Sequence, residues 1–128
     1  MMMYRTLIFC ISLFTIPVMA GSHHPQAFLE RVTGTVDEGP QIVEHFCSTC
    51  HAPNPMIPLG APTIGVASDW RPRLDQGLER LFQHANEGLR GMPPRGGCFE
   101  CTEKQLWLAI AALLPVEEQK KILEDKIK

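Results

Sequence analysis

The sequence has no long apolar run beyond its first twenty residues. Nothing after Gly21 approaches the roughly 20 consecutive apolar residues that a membrane-spanning helix needs, so the processed chain is expected to be soluble. It also lacks an excess of positive charge. Its 12 Lys and Arg face 14 Asp and Glu, and removing Arg5 with the first twenty residues leaves 11 against 14, a formal charge of −3. That balance argues against a nucleic-acid partner. There is no internal repeat, no low-complexity segment and no alternation of strand and helix patterns that would announce a βαβ unit. The 128 residues suffice for one domain.

The first twenty residues carry a single charge, Arg5. Residues 7–16 form an apolar core of about ten residues, too short to span a bilayer and of signal-peptide length. Pro17 ends it, and Val18-Met19-Ala20 suits a signal peptidase. Residues 1–20 therefore read as a signal peptide cleaved after Ala20, with an uncleaved anchor as the alternative. Cys10 follows the bulky Phe9 and does not suit lipid attachment. Without this segment four cysteines and two methionines, Met56 and Met92, remain.

The chain is organised around Cys47-Ser48-Thr49-Cys50-His51. This is the Cys-x-x-Cys-His pattern by which c-type haem is attached. Thiols at that spacing lie on one side of a helical turn, where each can form a thioether with a haem vinyl group, and His51 is then placed to coordinate the iron. A redox dithiol is an alternative, but it wants a βαβ setting. A zinc site is another, and Cys98 and Cys101 could supply its second ligand pair. The adjacent His51 and the export segment favour haem. Cys98-Phe99-Glu100-Cys101 is followed by Thr102 rather than His, so a second haem is not expected. In an oxidising compartment these two cysteines should form a short disulfide that staples the preceding loop to the next helix, with a redox-active pair as the alternative.

Haem iron has a second axial position, and a methionine there raises the reduction potential. Met56 lies five residues past His51 and would have to wrap the macrocycle in a very short loop. Met92 has ample chain to reach the opposite face. Pro93 and Pro94 stiffen its loop, and flanking glycines permit tight turns. The alternative is that Met92 only packs, leaving iron five-coordinate or bound by another group.

The remaining segments can be placed around this centre. Residues 21–36 read as a loosely ordered arm with one or two helical turns at 27–32; His23 and His24 read as solvated. Asp37-Glu38-Gly39-Pro40 is a helix start with Asp37 as cap, running through Ile42, Val43 and Phe46 to the haem motif. Gly39 permits close approach of another helix, and His45 reads as a solvated face residue. Residues 52–62 contain four prolines and form a stiff loop. Within that loop the Pro62 carbonyl is the expected acceptor for the second ring nitrogen of His51, with Pro58 as alternative.

A short capped helix is predicted at 68–74, where either Trp70 and Arg73 bond the haem propionates or Trp70 fills the core and the arginines are solvated. A helix is predicted over 76–87, burying Leu78, Leu81, Phe82 and Ala85 and stopping at Gly88; His84 is not needed as a ligand. Thr102 and Gln105 form a capping box for a helix running to Leu114. That helix is apolar on every side, which predicts a cover: the tail, or another protein, including a second copy in a homodimer. The tail, 116–128, places Val116, Leu123 and Ile127 on one face and pairs Glu117 with Lys121 and Glu124 with Lys128.

With these pieces assembled, the chain resembles class I c-type cytochromes, and among them the bacterial cytochrome c5 type, over roughly residues 30–114. The matching pieces are Cys47-Ser-Thr-Cys-His51, Gly60-Ala-Pro62, Trp70-Arg-Pro-Arg-Leu74, Gly91-Met-Pro-Pro-Arg-Gly-Gly-Cys98 and Cys101-Thr102. The resemblance implies one covalently attached haem c on Cys47 and Cys50, iron ligated by His51 and Met92, and a Cys98–Cys101 disulfide. It implies an all-α, small class I cytochrome c fold, its helices wrapped around one covalently bound haem and the first and last crossing. The chain departs in a longer loop after His51, in Val66 where the family tends to have an acid, and in the apolar last helix with its charged tail.

The expected organisation is a signal peptide (1–20), an N-terminal arm (21–36), a cytochrome c domain (37–115) and a charged tail (116–128). The expected role is one-electron transfer in the periplasm rather than catalysis. Electrons would come from a quinol-oxidising complex and pass to a terminal oxidase or reductase. Two rivals are a haem-based gas-binding sensor or enzyme with a labile Met92, and a haem subunit of a larger respiratory complex.

Overall fold

The computed structural model describes residues 24–127. The signal peptide, His23 and the Glu124 to Lys128 pairing fall wholly or partly outside these residues. The described chain is helical: α1 (Pro25–Val32), α2 (Glu38–Ile42), one turn of π-helix (Val43–Cys47), α3 (Ser48–His51), α4 (Ala67–Leu74), α5 (Leu78–Glu87), α6 (Glu103–Leu113) and α7 (Val116–Lys126). No strand occurs among the described residues; the one β-type pairing is an isolated bridge between Leu89 and Met92. The fold is all-α, as the sequence predicted.

α2, the π turn and α3 run on without a break, so one helical rod carries Ile42 and Val43 into the core and ends at His51. Its start differs from expectation. Asp37 has φ −114° and ψ 21° and makes no side-chain cap. A capping side chain needs an extended backbone to fold back over the first amides. Asp37 instead accepts a bond from Gln41 Nε2 at 2.9 Å. The buried Glu38 does the local work, its Oε2 accepting the Gly34 N–H at 2.8 Å.

α2 packs most extensively against α6. Gly39 is the contact point: a Cβ there would lie 2.5 Å from the Leu108 carbonyl oxygen. α6 begins with the predicted capping box. Thr102 Oγ1 accepts the Gln105 N–H at 3.1 Å, and Gln105 Oε1 accepts the Thr102 N–H at 2.9 Å. Gln105 also donates to Thr33 Oγ1 at 3.1 Å, which ties the cap to the end of α1.

The arm and the tail both join the core. α1 buries Leu29 and Val32, so the arm is packed rather than loose. α7 lies over α6 with Ile122 fully buried, and Gln119 Nε2 donates to the Leu114 carbonyl at 2.9 Å. The predicted face is corrected in part: Val116 is 75% exposed and Leu123 41%, whereas Ile127 packs against the core. The buried stripe runs Gln119, Ile122, Lys126, whose stem covers apolar surface while its ammonium stays near water. Lys126 pairs with Glu79 and sits over the Trp107 ring, which stacks on Phe82 at 4.5 Å. A second pair joins Lys120 and Glu124 at 3.9 Å, and among the described residues Glu117 and Lys121 form no ion pair with each other. The apolar circumference of α6 is thus covered from within the chain, and the reason to expect a homodimer through it falls away.

Candidate functional site

The π turn ends at Cys47 and α3 begins at Ser48, so both cysteines and His51 leave one stretch of helix toward one cavity. That cavity has a volume of about 450 Å³, within the range that encloses a cofactor-sized ligand. Apolar side chains of Phe46, Leu81, Ile110 and Leu113 wall it. Cys47, Cys50, His51 and Met92 all line it. The structure therefore brings together the four residues that the sequence singled out.

Cys47 and Cys50 form no disulfide with each other or with the second pair. Burial, with the neighbouring Cys50 adding to it, pushes the Cys47 thiol up to about 12. A dithiol built for exchange needs the opposite shift. The second pair that a zinc site would draw on is consumed, because Cys98 and Cys101 are disulfide-bonded with Cα atoms 5.4 Å apart. Among the described residues no group of three or more His, Cys, Asp or Glu is placed to hold a metal.

His51 is buried. Its Nδ1 lies 2.7 Å from the Pro62 carbonyl oxygen, the first of the two acceptors expected from sequence. A carbonyl can only accept, so Nδ1 carries the proton and Nε2 keeps a free lone pair. Burial lowers the His51 pKa; the Pro62 bond opposes this and the Arg73 charge reinforces it. The ring is thus neutral and oriented, as a metal-ligating imidazole must be.

Pro62 is held in turn. Thr63 donates its N–H to Asp69 Oδ2 at 3.0 Å and accepts the Trp70 indole N–H at 2.8 Å. The Thr63 amide, foremost among several bonds, holds the Asp69 carboxyl below the usual carboxylate range. Trp70 is buried and stacks on the His51 ring at 6.0 Å. Its N–H is donated to Thr63, and the ring is part of the core. Arg73 lines the cavity and uses one N–H on the Asp69 carbonyl at 2.5 Å.

The opposite wall is the Met92 loop. Gly88, at φ 85°, ends α5. Leu89 and Met92 then exchange backbone bonds of 3.1 and 3.0 Å around a tight turn with Arg90 at φ 54°. Only glycine fits at 88, where a Cβ would lie 2.8 Å from the Met92 carbonyl oxygen and 2.9 Å from the Pro94 nitrogen. A Cβ on Gly96 would lie 3.8 Å from Met92 Cε and 3.9 Å from Cys47 Sγ, which puts the thioether tip and a motif cysteine at one spot. Met56 is 84% exposed and does not line the cavity. The proline-rich loop folds back through Ile57 N–H to the Thr49 carbonyl at 3.0 Å and closes one edge with Ile57, Leu59 and Gly60.

His45 is exposed and stacks on Phe28 at 4.2 Å. Two residues were missed. His84 lines the cavity, as its spacing from Leu81 and Ala85 on α5 allowed. Arg95, at φ 59°, bonds Asn86, Cys98 and Cys101, and no sequence signal marks an arginine in a left-handed turn.

The cavity fits a covalently tethered haem in its volume, its apolar walls, its paired thiols and its oriented imidazole. Comparisons with known proteins agree. The family described as "Cytochrome C oxidase, cbb3-type, subunit III" matches residues 34–112. Cytochrome c5 of Azotobacter vinelandii is 33% identical over 82 residues, covering 62% of this chain and 95% of the relative. Cytochrome c5 of Ectopseudomonas mendocina is 37% identical over 71 residues, covering 54% and 78%. Cytochrome c-555 of Chlorobaculum tepidum is 35% identical over 72 residues, covering 53% and 64%. No solved structure matches.

Proposed function

Because this chain belongs to the class I c-type cytochromes, in the cytochrome c5 family, we propose that Cys47 and Cys50 tether its haem and that His51 and Met92 are the two axial ligands. Family membership carries the covalent haem c and the role of a small electron carrier. The observation that supports the ligand set is the shared cavity, with His51 fixed by Pro62 on one wall and Met92 held by its own turn on another. Haem c, when bound, supplies a one-electron Fe(II)/Fe(III) couple.

The chain's own residues do the rest. Pro62 holds the proton on His51 Nδ1, keeping Nε2 available. Pro93 and Pro94 stiffen the Met92 loop and limit rearrangement when charge changes at the centre. Ile110, Leu113 and Leu81 exclude water. Ile57, Leu59 and Leu89 are exposed beside the cavity mouth and form an apolar rim on which a redox partner docks. The carrier works in the periplasm, exported by residues 1–20, between a quinol-oxidising complex and a terminal oxidase or reductase. No helix among the described residues is long and apolar enough to cross a membrane.

Potentiometry on the Met92→Ala holoprotein tests this reading. The variant is expected to retain covalent haem and to show a lower potential. A potential equal to wild type would remove Met92 from the ligand set. Intact mass of the exported protein is expected to begin at Gly21; a chain that keeps residues 1–20 would contradict cleavage.

A further inference from the structure

We propose that Arg95 is a positioning residue for Met92: its half-buried guanidinium ties the Met92 loop to α5 and to the disulfide turn, and so controls how readily Met92 leaves the iron. The inference rests on the assignment of Met92 as axial ligand. Arg95 adopts φ 59° and ψ 17°, a left-handed conformation that glycine takes far more readily than any residue with a Cβ. Gly96 and Gly97 follow directly, yet this position carries arginine. The side chain accounts for it. Nε donates to the Cys98 carbonyl at 3.3 Å, one terminal nitrogen donates to Asn86 Oδ1 on α5, and the other donates to the Cys101 carbonyl.

These three acceptors belong to α5, to the disulfide turn and to the residue that leads into α6. A planar fork can reach all three at once, whereas a lysine ammonium is a single point. All three acceptors are neutral, so the tie does not depend on a carboxylate being ionised. The loop has little else on this side. Pro93 and Pro94 offer no N–H. Met92 bonds backward to Leu89, and the turn beyond it closes on itself through Gly96 N–H to Pro93 and Cys98 N–H to Arg95. Because the Gly96 backbone borders Met92 Cε, a turn freed from Arg95 is free to carry the thioether away.

The test compares wild-type holoprotein with Arg95→Gln, Arg95→Lys, Arg95→Gly and Met92→Ala. The readouts are the methionine-to-iron charge-transfer band of the oxidised form and the carbon monoxide association rate of the reduced form, with far-UV circular dichroism as a check on folding. Arg95→Gln and Arg95→Gly are expected to keep helix content and covalent haem but to weaken the band. Their carbon monoxide association should be about tenfold faster, the factor that one lost charge-assisted hydrogen bond supplies. Arg95→Lys should fall between. Arg95→Gly is the sharpest variant, because it eases the backbone while deleting the tie.

A wild-type band and rate in folded Arg95→Gly would overturn the inference while Met92→Ala still opened the iron. A wild-type band in Met92→Ala would overturn the ligand assignment and this inference with it. If the Arg95 variants fail to fold, Asn86→Ala removes only the α5 anchor. It should speed carbon monoxide association by a few-fold, and an unchanged rate would overturn the inference.

Discussion

At the scale of single residues, the site is a chain of hydrogen bonds that begins at His51 and ends at Asp69. His51 bonds Pro62, and the neighbouring Thr63 is clamped between Trp70 and Asp69. Trp70→Phe keeps the stack but leaves the Thr63 carbonyl without its donor. It is expected to cost about 1–3 kcal/mol in denaturant unfolding, and an unchanged midpoint would show that the bond carries no weight. Asp69 gives a pH prediction. Its folded pKa lies below its unfolded value, so its contribution to stability is full above the unfolded pKa and is lost as pH falls through the folded one. Wild type should therefore lose stability on acidification below about pH 4 more steeply than Asp69→Asn; equal slopes would contradict the assignment. The Pro62 acceptor was legible from loop stiffness and local spacing, as was the gathering of Cys47, Cys50, His51 and Met92 about one cavity. The bonds of Trp70 were not, because only the folded chain decides whether an indole N–H meets Thr63 or the cavity.

At the scale of elements, the signals that were legible are those contained within one turn. The capping box of α6, the stop at Gly88 and the close approach at Gly39 each depend on a few neighbouring residues. The π turn before the motif was illegible, since residue type does not announce an extra residue in a helical turn. The stripe on α7 was misassigned because hydrophobicity alone selects Val116 and Leu123, whereas burial selects Ile122 and the stem of Lys126. Ile122→Ala should cost about 2–5 kcal/mol, and Leu123→Ala should stay within about 0.5 kcal/mol. The reverse order would restore the face read from sequence. Gly39→Ala would gain helix propensity, yet a Cβ 2.5 Å from the Leu108 carbonyl forces α2 and α6 apart. A net loss of about 1–3 kcal/mol is expected.

At the scale of the whole molecule, two layers surround the cavity. The π turn, α3, α4 and α6 form its frame, while α5 and the two flanking loops form its Met92 wall and its rim. α1 lies against α2, and α7 covers α6. The all-α wrap was legible through the resemblance to class I c-type cytochromes, together with the helical periods and caps along the chain. The covering of α6 was legible only as a need, and the structure assigns it to the chain's own tail. Sedimentation of the holoprotein should accordingly give the monomer mass; a dimer abolished by changes on α6 would reverse that.

In the proposed centre, His51 and Met92 close the haem iron on both sides. Absorption spectra of the intact holoprotein test this most directly, oxidised and reduced, with and without carbon monoxide. A methionine-to-iron charge-transfer band in the oxidised form, with no prompt carbon monoxide shift in the reduced form, is the expected result. A prompt carbon monoxide shift with no such band would show an open iron, and would mean that the chain binds small molecules at its haem rather than only passing electrons through it.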